Sequence, residues 1–216
     1  MTTTVQSIIL RAHDALQDAD GVRWPATELV RYLNDGQRTL CVVRPDASAA
    51  SVPLVPVAGA RQTIPASAIS LMDVTRNTGG RVIRKVDQFS LDCVNRDWQS
   101  ATGVSIFSNF TYDPREPRVF YLYPPATGGI GSVDVVYSTY PADVPTPSGV
   151  LYTTCTGNIS VVDQWDTALL NYVLGRAYSK DAEFGGNKML ADSYMAAFVG
   201  LIGGQLQSSQ TVAPKQ

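Results

Sequence analysis

The stretch Trp24-Pro25-Ala26-Thr27-Glu28-Leu29-Val30-Arg31-Tyr32-Leu33-Asn34-Asp35-Gly36-Gln37-Arg38-Thr39-Leu40-Cys41-Val42-Val43 decides the reading of the fold. Pro25 suits the first position of a helix, where its missing N–H costs nothing, and Glu28 places a carboxylate in the positive first turn. Leu29, Tyr32, Leu33, Gly36, Leu40 and Val43 recur at helical spacings and form one stripe. Arg44-Pro45 ends it, because a residue before proline is pushed out of the α region. Gly36 costs about 1 kcal/mol against alanine in a helix interior, which predicts that another backbone passes close by.

Working outward, Val5, Ile8, Ile9, Ala12, Ala15 and Leu16 predict an amphipathic helix over Val5 to Asp18. The short link from Ala19 to Arg23, with its Asp20-Gly21 turn signal, folds this helix back on the next as a helical hairpin. The helical period returns at Asp163, where Trp165, Leu169, Tyr172 and Val173 share a stripe with Arg176, and Asp163 and Asp166 favour a helix start. Gly185-Gly186 is expected to end or bend the chain. Asn187 then caps a last helix carrying Leu190, Tyr194, Ala197, Phe198 and Leu201, which stops at Gly203-Gly204. Gln205 to Gln216 reads as a flexible polar tail.

Between Pro45 and Pro147 prolines and glycines recur and apolar residues fall in short runs, the pattern of strands separated by turns. Strands are expected at Val52 to Val57, Arg61 to Ile64, Ser70 to Asn77, Arg81 to Val86, Ser105 to Tyr112, Val119 to Tyr123 and Ser132 to Tyr140. Phe120 and Leu122 alternate with Val119, Tyr121 and Tyr123, and Val133, Val135 and Tyr137 alternate with Asp134 and Ser138, as half-buried antiparallel strands do. Asp87 to Asn95 is expected to be a short helix carrying Phe89, Leu91 and Val94, with Trp98 as an anchor after it. The predicted fold class is α+β, with terminal helices forming a four-helix bundle and an inserted antiparallel β domain. The predicted domains are residues 1–44 and 160–204 for the bundle, 45–159 for the β-rich insertion and 205–216 for the tail.

The chain has 216 residues and a formal charge of -2, enough length for one well-buried domain and no electrostatic case for stable binding to phosphate backbones. No run approaches the roughly 18 apolar residues of a membrane span, and Met-Thr-Thr-Thr-Val lacks the basic flank of a signal peptide, so the expectation is a soluble, unexported chain. Cys41, Cys93 and Cys155 are too scattered for a disulfide framework or zinc site and read as buried free thiols. His13 is the single histidine and falls on the polar side of the first helix. Asp87, Asp92 and Asp97 have the spacing of a solvated face, the glycines at 128, 129 and 131 match no phosphate loop, and Asp181-Ala182-Glu183 lacks a further metal ligand nearby. No catalytic residue, metal site or cofactor is predicted, and the chain is not expected to be an enzyme.

The order of motifs carries a resemblance. Trp24-Pro25 with Glu28 to Arg38, Pro45-Asp46, Asp113-Pro114 with Glu116-Pro117-Arg118-Val119-Phe120 and Tyr123-Pro124-Pro125, and Ala177 to Glu183 resemble the head-to-tail adaptor proteins of tailed bacteriophages, including the tail tubular protein A type. The resemblance implies a virion structural protein: a dodecameric ring beneath the portal protein, joining it to a tail nozzle or tail tube and continuing the DNA channel without sequence-specific contact. It also implies a place in the virion neck after assembly in the host cytoplasm, with no membrane partner. Related adaptors reach the portal with their C-terminal parts, so Gln205, Leu206, Val212 and Pro214 are the expected portal-docking residues. Two other readings stand beside it. A tail completion or terminator protein would share the ring without the portal contact, and a carbohydrate-binding module would use Trp98, Tyr112 and Tyr152 as its free aromatics.

Overall fold

Thr4 begins the first helix by accepting the backbone N–H of Ser7 on its hydroxyl at 3.3 Å, which satisfies one of the donors a helix start leaves open. Helix α1, Val5–Leu16, then buries Val5, Ile8, Ile9, Ala12 and Leu16 of the predicted stripe, while Ala15 is exposed. Helix α2, Ala26–Val43, starts one residue after Pro25, and its first N–H donates to the carbonyl of Val150 at 2.7 Å. Leu29, Leu33, Gly36 and Leu40 are buried as expected, while Val43 is exposed. In this computed structural model residues 3–212 are described apart from 182 and 184, with side chains described as far as Gly204.

The chain divides into two compact units, Met1–Ser48 with Pro141–Gln216, and Ala49–Tyr140. In the first, α4, Asp166–Ser179, packs against α1, α2 and α5, Gly185–Val212. It can do so because Ala168, Leu169, Tyr172, Val173, Leu174, Gly175 and Ala177 are buried on several sides of it. The expected contact between the Trp24 and Trp165 helices is present, but Gly36 differs from expectation. A Cβ there would lie 2.9 Å from Cδ1 of Tyr172 and 3.4 Å from Cδ2 of Leu169, so an aromatic side chain fills the space reserved for a backbone.

Helix α5 departs from its sequence reading at both ends. It begins at Gly185, so Gly185-Gly186 opens the helix rather than breaking the chain, and it runs through Gly203-Gly204 to Val212. Its buried residues are Ala191, Phe198 and Ile202, whereas Leu190 and Leu201 are exposed. The reason is that α5 is apolar or small on nearly every side over this stretch, so its sequence period does not single out one face.

The second unit holds two sheets with strand orders β1-β7-β3 and β2-β6-β5-β4, formed by β1 Ala49–Leu54, β2 Gly59–Thr63, β3 Ala68–Asn77, β4 Arg84–Lys85, β5 Asn109–Thr111, β6 Val119–Ala126 and β7 Val133–Thr139. Phe107, Phe110, Phe120, Leu122, Leu71, Val74, Val133, Val135 and Tyr137 form the core of this unit. The alternation read in β6 holds, and that in β7 holds as far as Tyr137 but not at Ser138, which is buried with its hydroxyl 3.1 Å from that of Ser70 on β3. One pairing was not expected: β4 and β5 are parallel. The segment between them holds α3, Gln88–Val94, and supplies the crossover that a parallel pair needs. The predicted strand Ser105 to Tyr112 shortens because the Asn77 side chain takes over at Phe107, accepting its N–H and donating to its carbonyl, both at 2.8 Å.

Candidate docking surfaces

Arg44 ends α2 and is buried, a role beyond the chain stop read from Arg44-Pro45. Its Nε and Nη2 donate to both carboxylate oxygens of Asp46 at 2.8 and 2.7 Å, and Nη1 donates to the carbonyl of Ile202 at 3.2 Å. The guanidinium also lies 5.2 Å over the ring of Trp165. One side chain thus ties α2, the turn after it, the start of α4 and α5 together. The hydrogen bonds from Arg44 hold the Asp46 carboxyl below its ordinary range.

At the other end of α4, Trp24 Nε1 donates to the Ala177 carbonyl at 3.1 Å, and Lys180 Nζ donates to Glu28 at 2.7 Å. Tyr32 donates to the same Glu28 carboxylate at 2.6 Å, and burial together with that carboxylate pushes its hydroxyl up to about 12. Asp181, weighed above as a possible metal ligand, instead accepts from Arg23. Among the described residues no group of three potential metal ligands lies together.

His13 differs from its sequence reading: it is buried beside Tyr152, with ring centroids 6.1 Å apart, and neither ring nitrogen has a hydrogen-bond partner among the described residues. The helix reaches this result because α1 is covered on a second side by the turn at Tyr152–Thr154, which the sequence did not reveal. Burial lowers the imidazole pKa, with Asp18 and Asp14 opposing in part. Cys41 and Cys155 are buried thiols as expected, but Cys93 on α3 is exposed. Trp98 is 1% exposed, pressed on Tyr121 and Tyr123 with Ala60 and Leu91 beside it. It is a packing residue and offers no stacking face to a sugar.

The geometry so far is a set of pinned helices and a packed β unit, with its polar clusters tied up in structure. The SU10 adaptor protein family matches this chain over residues 3–215. The chain belongs to that family. The match bears out the resemblance to phage adaptors drawn from the sequence, and no curated protein matches the chain. Among the described residues no helix of this adaptor is long and apolar enough to cross a membrane.

An adaptor works through its surfaces, and the resemblance led to the expectation of docking residues at the C-terminal end. Gln205, Leu206 and Val212 lie on the last turns of α5, beyond the described side chains, and Pro214 lies outside the described residues. Two open clefts were not foreseen. One in the helical unit, about 540 Å³, lies between Asn34, Arg38 and the 143–146 segment, where Asn34 exchanges hydrogen bonds with the backbone of Val144. The other, about 430 Å³ in the β unit, is lined by Arg81, Val82, Arg84, Ile106, Phe107, Ser108 and Asn109. Neither could be read from spacing, because each lies where segments distant in the sequence meet.

Proposed function

We propose that this adaptor assembles as a dodecameric ring under the portal protein, joins it to a tail nozzle or tail tube protein, and continues the DNA channel. The observation that carries the reading is the family match along nearly the whole chain, residues 3–215. The division into a helical unit and a β unit supports it, since two compact parts can serve two partners. In this reading the terminal helices act as one four-helix bundle on domain bounds of 1–44 and 160–204, the segment 45–159 acts as the insertion, and Gln205, Leu206, Val212 and Pro214 dock on the portal.

The adaptor works by position, without catalytic turnover. The formal charge of -2 suits a conduit, because each phosphate a wall neutralises adds counterion-release affinity and would slow DNA passing through. The ring resides in the virion neck and is built in the host cytoplasm. The test is to mix the purified chain with purified portal rings and analyse the product by sedimentation and electron microscopy. Twelve copies per portal in a ring on one face is the expected result. A chain that forms rings but ignores the portal would be a tail completion or terminator protein instead.

A further inference from the structure

The cleft of about 430 Å³ in the β unit is lined by Arg81 and Arg84 and by no carboxylate. Elsewhere in the chain Arg11, Arg23, Arg38, Arg44, Arg76 and Arg115 each pair with an aspartate, whereas the guanidiniums of Arg81 and Arg84 have neither an ion pair nor a hydrogen bond among the described residues. Both are exposed, as is Ser108, and half-buried Asn109 adds an amide to the lining. Asp134, across β3 from this segment, is held by Arg76 and Thr78, each at 2.7 Å.

Backbone acceptors of the cleft are already used inside the fold. The carbonyl of Arg81 accepts from the backbone N–H of Asn77 at 2.9 Å and from its side-chain amide at 3.0 Å. The carbonyl of Phe107 accepts from the same amide at 2.8 Å, and that of Ser108 from the backbone N–H of Arg84 at 3.1 Å. These bonds tie the walls together, and the pairing of β4 with β5 sets Arg84 beside Asn109 at the edge of the sheet. The groups left open are mainly donors: two guanidinium forks, an amide and a hydroxyl.

A surface that donates without accepting suits a ligand that accepts without donating. A phosphodiester is such a group, since its two free oxygens share one charge and carry no proton, and arginine, serine and asparagine all serve as phosphate contacts along nucleic acids. An acidic polypeptide fits less well: each of its residues also brings an N–H that needs an acceptor, and the carbonyls of Arg81, Phe107 and Ser108 are taken. Val82 and Ile106, 69% and 61% exposed, lie beside the arginines and offer apolar contact to a sugar ring.

We propose that this cleft binds the phosphate backbone of a DNA duplex, with the guanidiniums of Arg81 and Arg84 on charged phosphate oxygens and Ser108 and Asn109 on neighbouring ones. Such a contact positions a duplex and reads no sequence. Its place on the outer strand of the sheet leaves room for a long polymer to lie across it, and two cations per copy make a weak hold that a conduit tolerates. The inference rests on the conduit reading above for the source of the phosphate.

The test follows binding of the full chain to a short DNA duplex by fluorescence anisotropy across a salt series. Wild type is compared with Arg81→Gln/Arg84→Gln and with Arg61→Gln/Arg96→Gln, which removes the same charge from exposed arginines of the β unit outside the cleft. The cleft variant should weaken binding about tenfold or more at low salt and make log K against log salt shallower by about two, while the control variant changes little. Circular dichroism melts check that all three proteins share one fold. Equal losses in the two variants, or a wild-type chain that leaves the duplex unbound at low salt, would overturn the site. Displacement of the duplex by inorganic phosphate at matched phosphate concentration and ionic strength would assign the cleft to a free anion and overturn the proposal. Polyglutamate that binds more tightly than the duplex, and is lost in the cleft variant, would assign it to an acidic protein with the same result. Assembly on portal rings with the duplex unbound would strike this site and leave the ring reading standing, whereas a chain that binds duplex through the cleft but ignores the portal would strike the ring reading and leave the site.

Discussion

Arg44 stacks its guanidinium 5.2 Å above the Trp165 ring while its nitrogens hold Asp46 and the Ile202 carbonyl. These two residues are 121 positions apart in the chain, and each is buried. A buried arginine is tolerable only when its donors and its charge are answered, and here one carboxylate, one carbonyl and one π face answer them.

Replacing Arg44 should therefore be costly in a way that a surface arginine is not. Arg44→Ala is expected to lower unfolding free energy by about 3 kcal/mol, since the change opens space and removes three anchored contacts. Arg44→Lys should recover little, because an ammonium cannot make the two-pronged bond to Asp46 or stack flat on the indole. Urea titration of the three proteins checks this. Equal midpoints for wild type and Arg44→Lys would mean that charge alone matters.

Gly36→Ala should destabilise the protein although alanine is the better helix former. The helix itself gains about 1 kcal/mol from the exchange, but the new methyl would sit 2.9 Å from Cδ1 and 3.2 Å from Cγ of Tyr172, and overpacking of this kind costs roughly 1–3 kcal/mol. Cγ is close to the backbone of α4, so the ring cannot swing aside freely. Pairing the change with Tyr172→Leu should give a stabilising coupling in a double-mutant cycle. Additive effects would show that the helices separate to make room.

These two residues mark how far the sequence could be read. Gly36 sat on a clean helical stripe, so its burial and close contact were legible, while the identity of the neighbour was not, because spacing carries no information on which side chain arrives from α4. Arg44 was legible only as a helix stop, since its partners come from Trp165 and Ile202 far along the chain. The β unit was legible where alternation held, in β6 from Val119 to Tyr123 and in β7 as far as Tyr137, and illegible at β4 and β5, where the parallel pairing depends on the crossover through α3. The adaptor family was reached from the order of whole motifs. The two clefts left no trace, because a cleft is a property of loops that meet in space.

His13 makes stability depend on pH in a defined direction. Burial lowers its pKa from 6.5 in the folded state, so as pH falls the unfolded chain takes up the proton first and the equilibrium shifts toward it. The stabilisation is full above pH 6.5 and is lost below it. The carboxylates of Asp18, Asp46 and Asp181 have lowered pKa values and lose their contribution in a separate, more acidic window below 3.8. His13→Leu should thus flatten the fall in melting temperature between about pH 7.5 and about pH 5 while leaving the acid limb in place. An unchanged slope would mean that the imidazole gains a proton acceptor on folding.

The last turns of α5 give the sharpest test of portal docking. Ile202 is the last buried residue among those described, yet the helix continues to Val212 through Gly203 and Gly204, each about 1 kcal/mol worse than alanine in a helix interior. With two consecutive glycines at its start, the extension draws little support from its own helix propensity. A partner surface that packs along it would supply that support, and twelve copies on one ring would turn a weak contact into firm attachment through effective concentration. Deleting everything after Gly204 should leave the melting temperature within about two degrees of wild type, because no described buried side chain is lost. The same truncation should reduce attachment to portal rings by tenfold or more, as measured by co-sedimentation across a range of concentrations. If the truncated chain folds and binds portal as tightly as before, the docking role assigned to Gln205, Leu206, Val212 and Pro214 is wrong, and the contact lies on the earlier turns of the helical unit.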